Sequence, residues 1–274
     1  MEFSPARQRF TLEVRQPEEQ INLAATALYI AQEEYPDLDV EEYLNALDTM
    51  ALEIQERLPA EFYPLKVIRG INQYLYEDLG FAGNTANYYD PDNSYLNCVI
   101  DRRLGIPITL SLVYLEVARR VGLPMVGVNM PGHFLIRPDL PEMEIFVDPF
   151  HQGEVLFMQD CQDRLNSIYG RQVLLRPEFF KPIATKRLLS RMLTNLKFIY
   201  LNRGEMAKTL AAIERILLIF PDAPVEHRDR GLIYYQVGRW VEACDDLFVY
   251  LDQVPAAQDA GVVRQLLKRM GATP

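Results

Sequence analysis

The chain offers little sulfur chemistry: its 274 residues hold three cysteines, Cys98, Cys161 and Cys244, odd in number and far apart. That spacing excludes a disulfide framework and any zinc site built on cysteine pairs. Long apolar runs are also missing. None approaches the roughly 20 residues of a membrane span, and residues 1–12 contain no stretch like the apolar core of a signal peptide. A cytoplasmic location without a membrane partner is the expectation. Positive charge is the third deficit, since 28 Lys and Arg against 38 Asp and Glu leave a net charge of −10. Such a surface repels nucleic acid and anionic lipid, so no nucleic-acid partner is expected. The pairs Arg102-Arg103 and Arg119-Arg120 read as solvated helix edges.

What remains is a composition with 49% apolar and 24% charged residues, as in globular proteins, and enough length for one large domain or two ordinary cores. Residues 18–33 place apolar side chains at Ile21, Leu23, Ala24, Ala27, Leu28 and Ile30, close to a helical period, and Pro36 ends the pattern. Asp39 is positioned to cap a second helix that stops before Pro59, and a third follows Pro64 and ends near Gly80. Residues 83–93 are too rich in Asn, Asp, Tyr and Pro to continue a helix. Asn93 or Ser94 then suits the cap of a short helix over 95–103. Pro107 suits the first turn of the next, where its missing N–H is not needed, and Gly122 ends that helix. Residues 125–128, 134–137 and 144–147 are short and β-like.

The last third is nearly all helical in pattern and repeats itself. Tyr200 and Tyr234, Gly204 and Gly238, and Pro221 and Pro255 are each 34 residues apart, the period of a tetratricopeptide helix pair. The pairs turn at Asn202-Arg203-Gly204 and Val237-Gly238-Arg239, with a proline closing each second helix. A plain helical hairpin bundle is the competing expectation.

The chemistry-bearing residues gather between 93 and 151. Placing Arg137 opposite Glu144 in an antiparallel pair also sets His133 opposite Asp148, with Cβ atoms about 5 Å apart. The carboxylate then orients the imidazole toward a third group. A one-residue slip would undo this register. The helix opening at Pro107 is where a nucleophile would gain from free N–H groups and the helix dipole. Its first turn supplies Thr109 and Ser111 but no thiol, and hydroxyls there often bond to local backbone. Cys98 is the nearest thiol in sequence, in a mid-helix setting that suits a buried, inert side chain. His133 and Asp148 serve equally as a structural tie between strands. A third arrangement is a metal held by His133, Asp148 and His151, of ligand types that suit zinc or iron, although no strong spacing motif calls for one and no cofactor is expected. His227 reads as a surface residue.

Helix, strand with His, strand with Asp is the chain order of papain-type and transglutaminase-type thiol sites. The runs Asn93-Ser94-Tyr95-Leu96-Asn97, Arg103-Leu104-Gly105-Ile106-Pro107-Ile108-Thr109-Leu110, Pro131-Gly132-His133-Phe134-Leu135 and Asp148-Pro149-Phe150 resemble the SirB-type family. Those are bacterial proteins with an N-terminal transglutaminase-like domain and C-terminal tetratricopeptide repeats. The resemblance implies an α+β fold: a helix-rich, papain-like domain with a small antiparallel sheet over residues 1–180, then an all-α repeat segment over 181–274. It matches His133 and Asp148 to the base and orienting acid of the wider superfamily, and it puts the nucleophilic cysteine position at Pro107. Proline can neither attack a carbonyl nor be activated by an imidazole. The expected function is therefore a non-catalytic adaptor that binds a protein or peptide through the old cleft, near Tyr88, Tyr89, Tyr95 and Phe134, and through the repeats. The alternative is a hydrolase or acyl-transferase using Cys98, Thr109 or Ser111 with His133 and Asp148.

Overall fold

Short polar side chains decide where the first helices begin. The computed structural model describes residues 4–59, 63–140 and 143–272. Ser4 accepts a hydrogen bond from Arg7 N ahead of α1 (Pro5–Val14). Asn22 does the same for Ala25 N ahead of α2 (Leu23–Gln32), and Asp39 for Glu41 N ahead of α3 (Val40–Arg57). Each satisfies a donor that the first helical turn leaves unpaired. The cap at Asp39 is the one expected. The single helix expected over 18–33 is instead a 3₁₀ turn, Glu18–Gln20, followed by α2, because Asn22 leaves helical backbone in order to cap. α4 (Pro64–Asn72) runs on into a π-helical segment, Gln73–Asp78.

The chain forms two compact units, residues 1–192 and 193–274. In the first unit a parallel pair, β1 (Ala82–Gly83) and β2 (Leu104–Gly105), brackets α5 (Leu96–Arg102). Neither Asn93 nor Ser94 caps α5; Tyr95 holds that position without a side-chain bond. Asn93 is buried and points back into the polar loop. It accepts from Asn84 Nδ2 and donates to the carbonyls of Asn87 and Tyr88. α6 (Pro107–Arg120) begins at its proline as expected and is buried on most sides, from Pro107 to Tyr114 and again at Glu116, Val117 and Ala118. A helix apolar on so many faces belongs in the middle of a core. Arg120, expected at a solvated edge, instead bonds Asp48 and the buried Glu116.

β3 (Met125–Val128), β4 (Leu135–Pro138), β5 (Phe146–Asp148) and β6 (Glu154–Leu156) form one antiparallel sheet in chain order. The β4–β5 register pairs Ile136 with Val147, which corrects the expected pairing of Arg137 with Glu144 by two residues. An even slip leaves every side chain on its expected face. The connection is longer than expected because Asp139 N bonds Pro124 O on the β3 side and β5 starts only at Phe146. Pro141 and Glu142 of that loop lie outside the described residues. β6 and α7 (Met158–Tyr169) had no sequence expectation. Val128, Leu135, Phe146, Leu156, Cys161 and Leu165 form the core between sheet and α7.

The second unit takes over within α8 (Thr185–Asn202) and continues through α9 (Met206–Ile219), α10 (Pro224–Gln236), α11 (Trp240–Gln253) and α12 (Ala260–Arg269). The helix pairs turn where expected, at Gly204 and Gly238, both in the left-handed region that glycine enters without strain. Pro221 and Pro255 follow the ends of α9 and α11. His227 is not a surface residue: its ring nitrogens bond Asp246 and the Pro221 carbonyl, each at 2.8 Å. Among the described residues no helix is long and apolar enough to cross a membrane.

Candidate functional site

The site is built around the end of β5. Asp148 closes that strand and caps the 3₁₀ turn Pro149–His151, its Oδ1 accepting from the N–H groups of Phe150 at 3.1 Å and His151 at 3.3 Å. Gln152 and Gly153, both left-handed, then reverse the chain into β6. The turn is pinned from beneath: Asn72 Nδ2 donates to Gly153 O at 2.7 Å, and Tyr114 of α6 donates to Asn72 Oδ1 at 2.9 Å.

His133 Nε2 lies 2.7 Å from Asp148 Oδ2. His133 precedes β4 rather than facing Asp148 across the ladder, yet the even register keeps the two side chains on one face. A carboxylate only accepts, so Nε2 carries the proton and Nδ1 presents a lone pair. Among the described residues nothing hydrogen-bonds that Nδ1. The ring stands edge-on to Phe150 at 6.3 Å and tilted to His151 at 5.7 Å.

Arg164 of α7 completes the cluster. It bonds Asp148 Oδ2, and its Nη2 donates to Glu154 at 2.6 Å. Its Nη1 also lies 2.6 Å from His151 Nδ1, while that nitrogen is 2.9 Å from Asp148 Oδ2. A guanidinium can only donate, so Nδ1 of His151 is an acceptor and the guanidinium bridges it to the carboxylate. Burial of Asp148, which is 0% exposed, would by itself raise its pKa. The His133 hydrogen bond, together with the positive charge of Arg164, outweighs that and holds the carboxyl below its ordinary value.

The ligand atoms of His133, Asp148 and His151 all lie within 4.8 Å of one another, and the donor types fit a transition metal. The guanidinium, however, already places a cation between Asp148 and His151, so a metal ion would have to displace Arg164.

None of the three expected nucleophiles hydrogen-bonds His133. Thr109 Oγ1 donates to Asn93 O at 2.7 Å and accepts from Ile106 N at 3.2 Å, which locks the start of α6. Ser111 is fully buried and its hydroxyl has no partner. Cys98 is buried in α5, and burial raises its thiol pKa more than the neighbouring Tyr35 hydroxyl lowers it. Ser111→Ala is therefore expected to leave stability unchanged or raise it by up to about 1 kcal/mol, because it removes an unpaired buried hydroxyl. Chemical denaturation checks this, and a loss above about 1 kcal/mol would mean the hydroxyl has an unseen partner.

Sequence reasoning missed Arg164, Phe150 and Tyr76. The π-helical segment puts Tyr76 close enough to feel the charge of Asp148, and burial keeps its phenol protonated. Long chain separations hide such contacts from any local pattern. Cys161 of α7 also feels Asp148 and Arg164, but burial pushes its thiol up to about 12. Of the expected cleft aromatics, Tyr88 and Tyr89 are exposed and meet edge to face at 5.2 Å, with Tyr88 reaching Phe150 at 6.1 Å. Tyr95 and Phe134 are buried, which removes them from an accessible wall. His133, His151, Glu154, Asp160, Asp163 and Arg164 line an open pocket of about 540 Å³.

Residues 41–194 match the transglutaminase-like superfamily, and residues 196–268 match a tetratricopeptide repeat. A UPF0162 protein of Xylella fastidiosa (strain 9a5c) is 38% identical over 255 residues, covering 90% of this chain and 89% of that protein. The UPF0162 protein YchA of Escherichia coli (strain K12) is 30% identical over 233 residues, 84% of this chain and 85% of its own length. The F-box only protein 21 of Mus musculus is 32% identical over 188 residues, 65% of this chain but 29% of that protein. No solved structure matches.

Proposed function

We propose, from the premise that the chain belongs to the UPF0162 family and its 41–194 segment to the transglutaminase-like superfamily, that it works as a non-catalytic adaptor binding a protein or peptide. The finer SirB-type assignment, the division near residue 180 and a cytoplasmic location are parts of the same proposal. The observation that carries it is the use made of His133. Its Nε2 is held by a carboxylate that Arg164 and two backbone N–H groups also occupy, and no nucleophile stands against its Nδ1 among the described residues. Such a cluster braces β5 and the turn after it.

Three further features support this reading. The superfamily's cysteine position counts to Pro107. Thr109 spends its proton on Asn93 O, and burial favours the neutral thiol of Cys98. Tetratricopeptide pairs commonly present grooves to partners. The alternative, a hydrolase or acyl-transferase, requires Cys98, Thr109 or Ser111 to reach His133 Nδ1.

Two measurements separate these. Iodoacetamide labelling mapped by mass spectrometry is expected to give no His133-dependent adduct at Cys98, with His133→Ala as control; fast labelling that His133→Ala abolishes would revive the thiol enzyme. Random heptapeptides selected on the full-length protein are expected to bind saturably and to stay uncleaved. Peptide turnover that depends on His133, or a selection that yields no saturable binder, would overturn the adaptor reading.

A further inference from the structure

Several arginines of this acidic chain are answered by carboxylates, as at Arg7–Glu33, Arg102–Asp90, Arg120–Asp48 and Arg164–Asp148. Arg191 differs. It is half-buried, its Nη2 donates to the His133 carbonyl at 3.1 Å, and its guanidinium stands 5.2 Å from the centroid of the buried Phe134 ring. Among the described residues no carboxylate pairs with it, and the Tyr88 phenol, kept neutral by burial, is the titratable group that acts on it. Withdrawing a guanidinium from water without a counterion is unfavourable. A chain with a net charge of −10 has acids to spare, so the missing partner is a property of this place. The remaining Arg191 donors are not sealed in, since none is both buried and unpaired.

Resting on the peptide-binding reading above, we infer that Arg191 and Tyr88 form a subsite beside His133 that takes the carboxylate of a bound peptide. A guanidinium presents a planar fork that matches a carboxylate with two parallel hydrogen bonds. A phosphate would draw on more than one cation, whereas Arg191 and Tyr88 offer one guanidinium and one phenol. Tyr88 and Phe150 meet at 6.1 Å and Phe150 meets His133 at 6.3 Å, giving aromatic surface for the neighbouring apolar side chain. The lone pair of His133 Nδ1 then accepts a peptide N–H, which assigns the imidazole a binding role that needs no nucleophile.

The probe is N-acetyl-tyrosyl-alanine with a free carboxylate, compared with its amide, by calorimetric titration and by NMR of the ¹⁵N-labelled arginine side chains. On the wild type the acid should bind at least about tenfold more tightly than the amide and shift the Arg191 Nε–H signal. Arg191→Gln should erase that preference. Arg191→Lys should keep only part of it, because the charge stays and the fork is lost; thermal melting confirms that both variants fold. Equal binding of acid and amide, or inorganic phosphate displacing the acid at equal concentration, would overturn the carboxylate subsite. So would neither form binding at millimolar concentration while selected heptapeptides still bind, an outcome that leaves the adaptor reading standing. Failure of the heptapeptides as well would remove both.

Discussion

Replacing Asp148 by alanine is expected to lower the unfolding free energy by about 3–5 kcal/mol, the range for removing one partner from a buried charged cluster. A lone hydrogen-bonded His–Asp pair would suggest only about 1–3 kcal/mol. The larger figure follows from what else hangs on this carboxylate. It is 0% exposed, and it serves His133, Arg164 and the backbone N–H groups of Phe150 and His151 at once. Alanine strips the guanidinium facing His151 of its buried counterion, leaving it only the half-exposed Glu154, and opens the cap of the turn that leads into β6. Urea unfolding at neutral pH is the measurement, and a change under about 1 kcal/mol would sink the brace interpretation. The pH dependence has a definite sign. The folded-state pKa of Asp148 is depressed, so its contribution is complete above the ordinary carboxylate range and is lost as pH falls through the depressed value. The gap between wild type and Asp148→Asn should therefore be widest near neutrality and should close in acid, below about pH 4. A gap that widens in acid would mean that the carboxylate is not the stabilising ion.

Lys197→Ala is the second large effect, about 3–5 kcal/mol within the repeat unit. The Lys197 side chain is 3% exposed, and its Nζ donates to Glu226 at 2.8 and 2.9 Å and to Asp229 at 3.0 Å. Removing it leaves the buried Glu226 without its cation, so that carboxylate must then protonate or pull toward water, while Asp229 keeps Arg228 at 2.7 Å. The triple change Lys197→Met, Glu226→Gln, Asp229→Asn should recover most of the loss, because it deletes the charges together rather than orphaning Glu226, and Arg228 keeps Asp259. Thermal melts of full-length variants followed by circular dichroism test this. A single variant as stable as wild type would show that the ion cluster is solvated. A triple variant no better than the single one would show that packing around the lysine stem, not charge, is what matters.

The helical part of this architecture was legible because it is written locally. Asp39 as a cap, Pro107 in the first turn of α6, and the glycines and prolines 34 residues apart are each short-range signals with one physical consequence. The failures share a cause as well. Asn93 carries the chemistry of a cap, but its amide found three partners in the folded polar loop, and a buried amide takes the arrangement that satisfies it most fully. The β4–β5 register slipped by two because a contact from Asp139 to Pro124, outside the hairpin, lengthened the turn. His227 became a half-buried hydrogen-bond partner of Asp246 for the same kind of reason.

Taken alone, the sequence determined most of the helices, the repeat, and the presence of His133 and Asp148 on one face of a sheet. Those depend on period, on cap chemistry and on the parity of a ladder, all local quantities. Only the tertiary structure decided that Arg164 would share the Asp148 carboxylate, that Thr109 would bond to Asn93 O, and that Arg191 would stand beside His133 without an acid. Whether a polar side chain is free, paired or stranded depends on which distant segments exclude water around it, and that is settled when the chain packs.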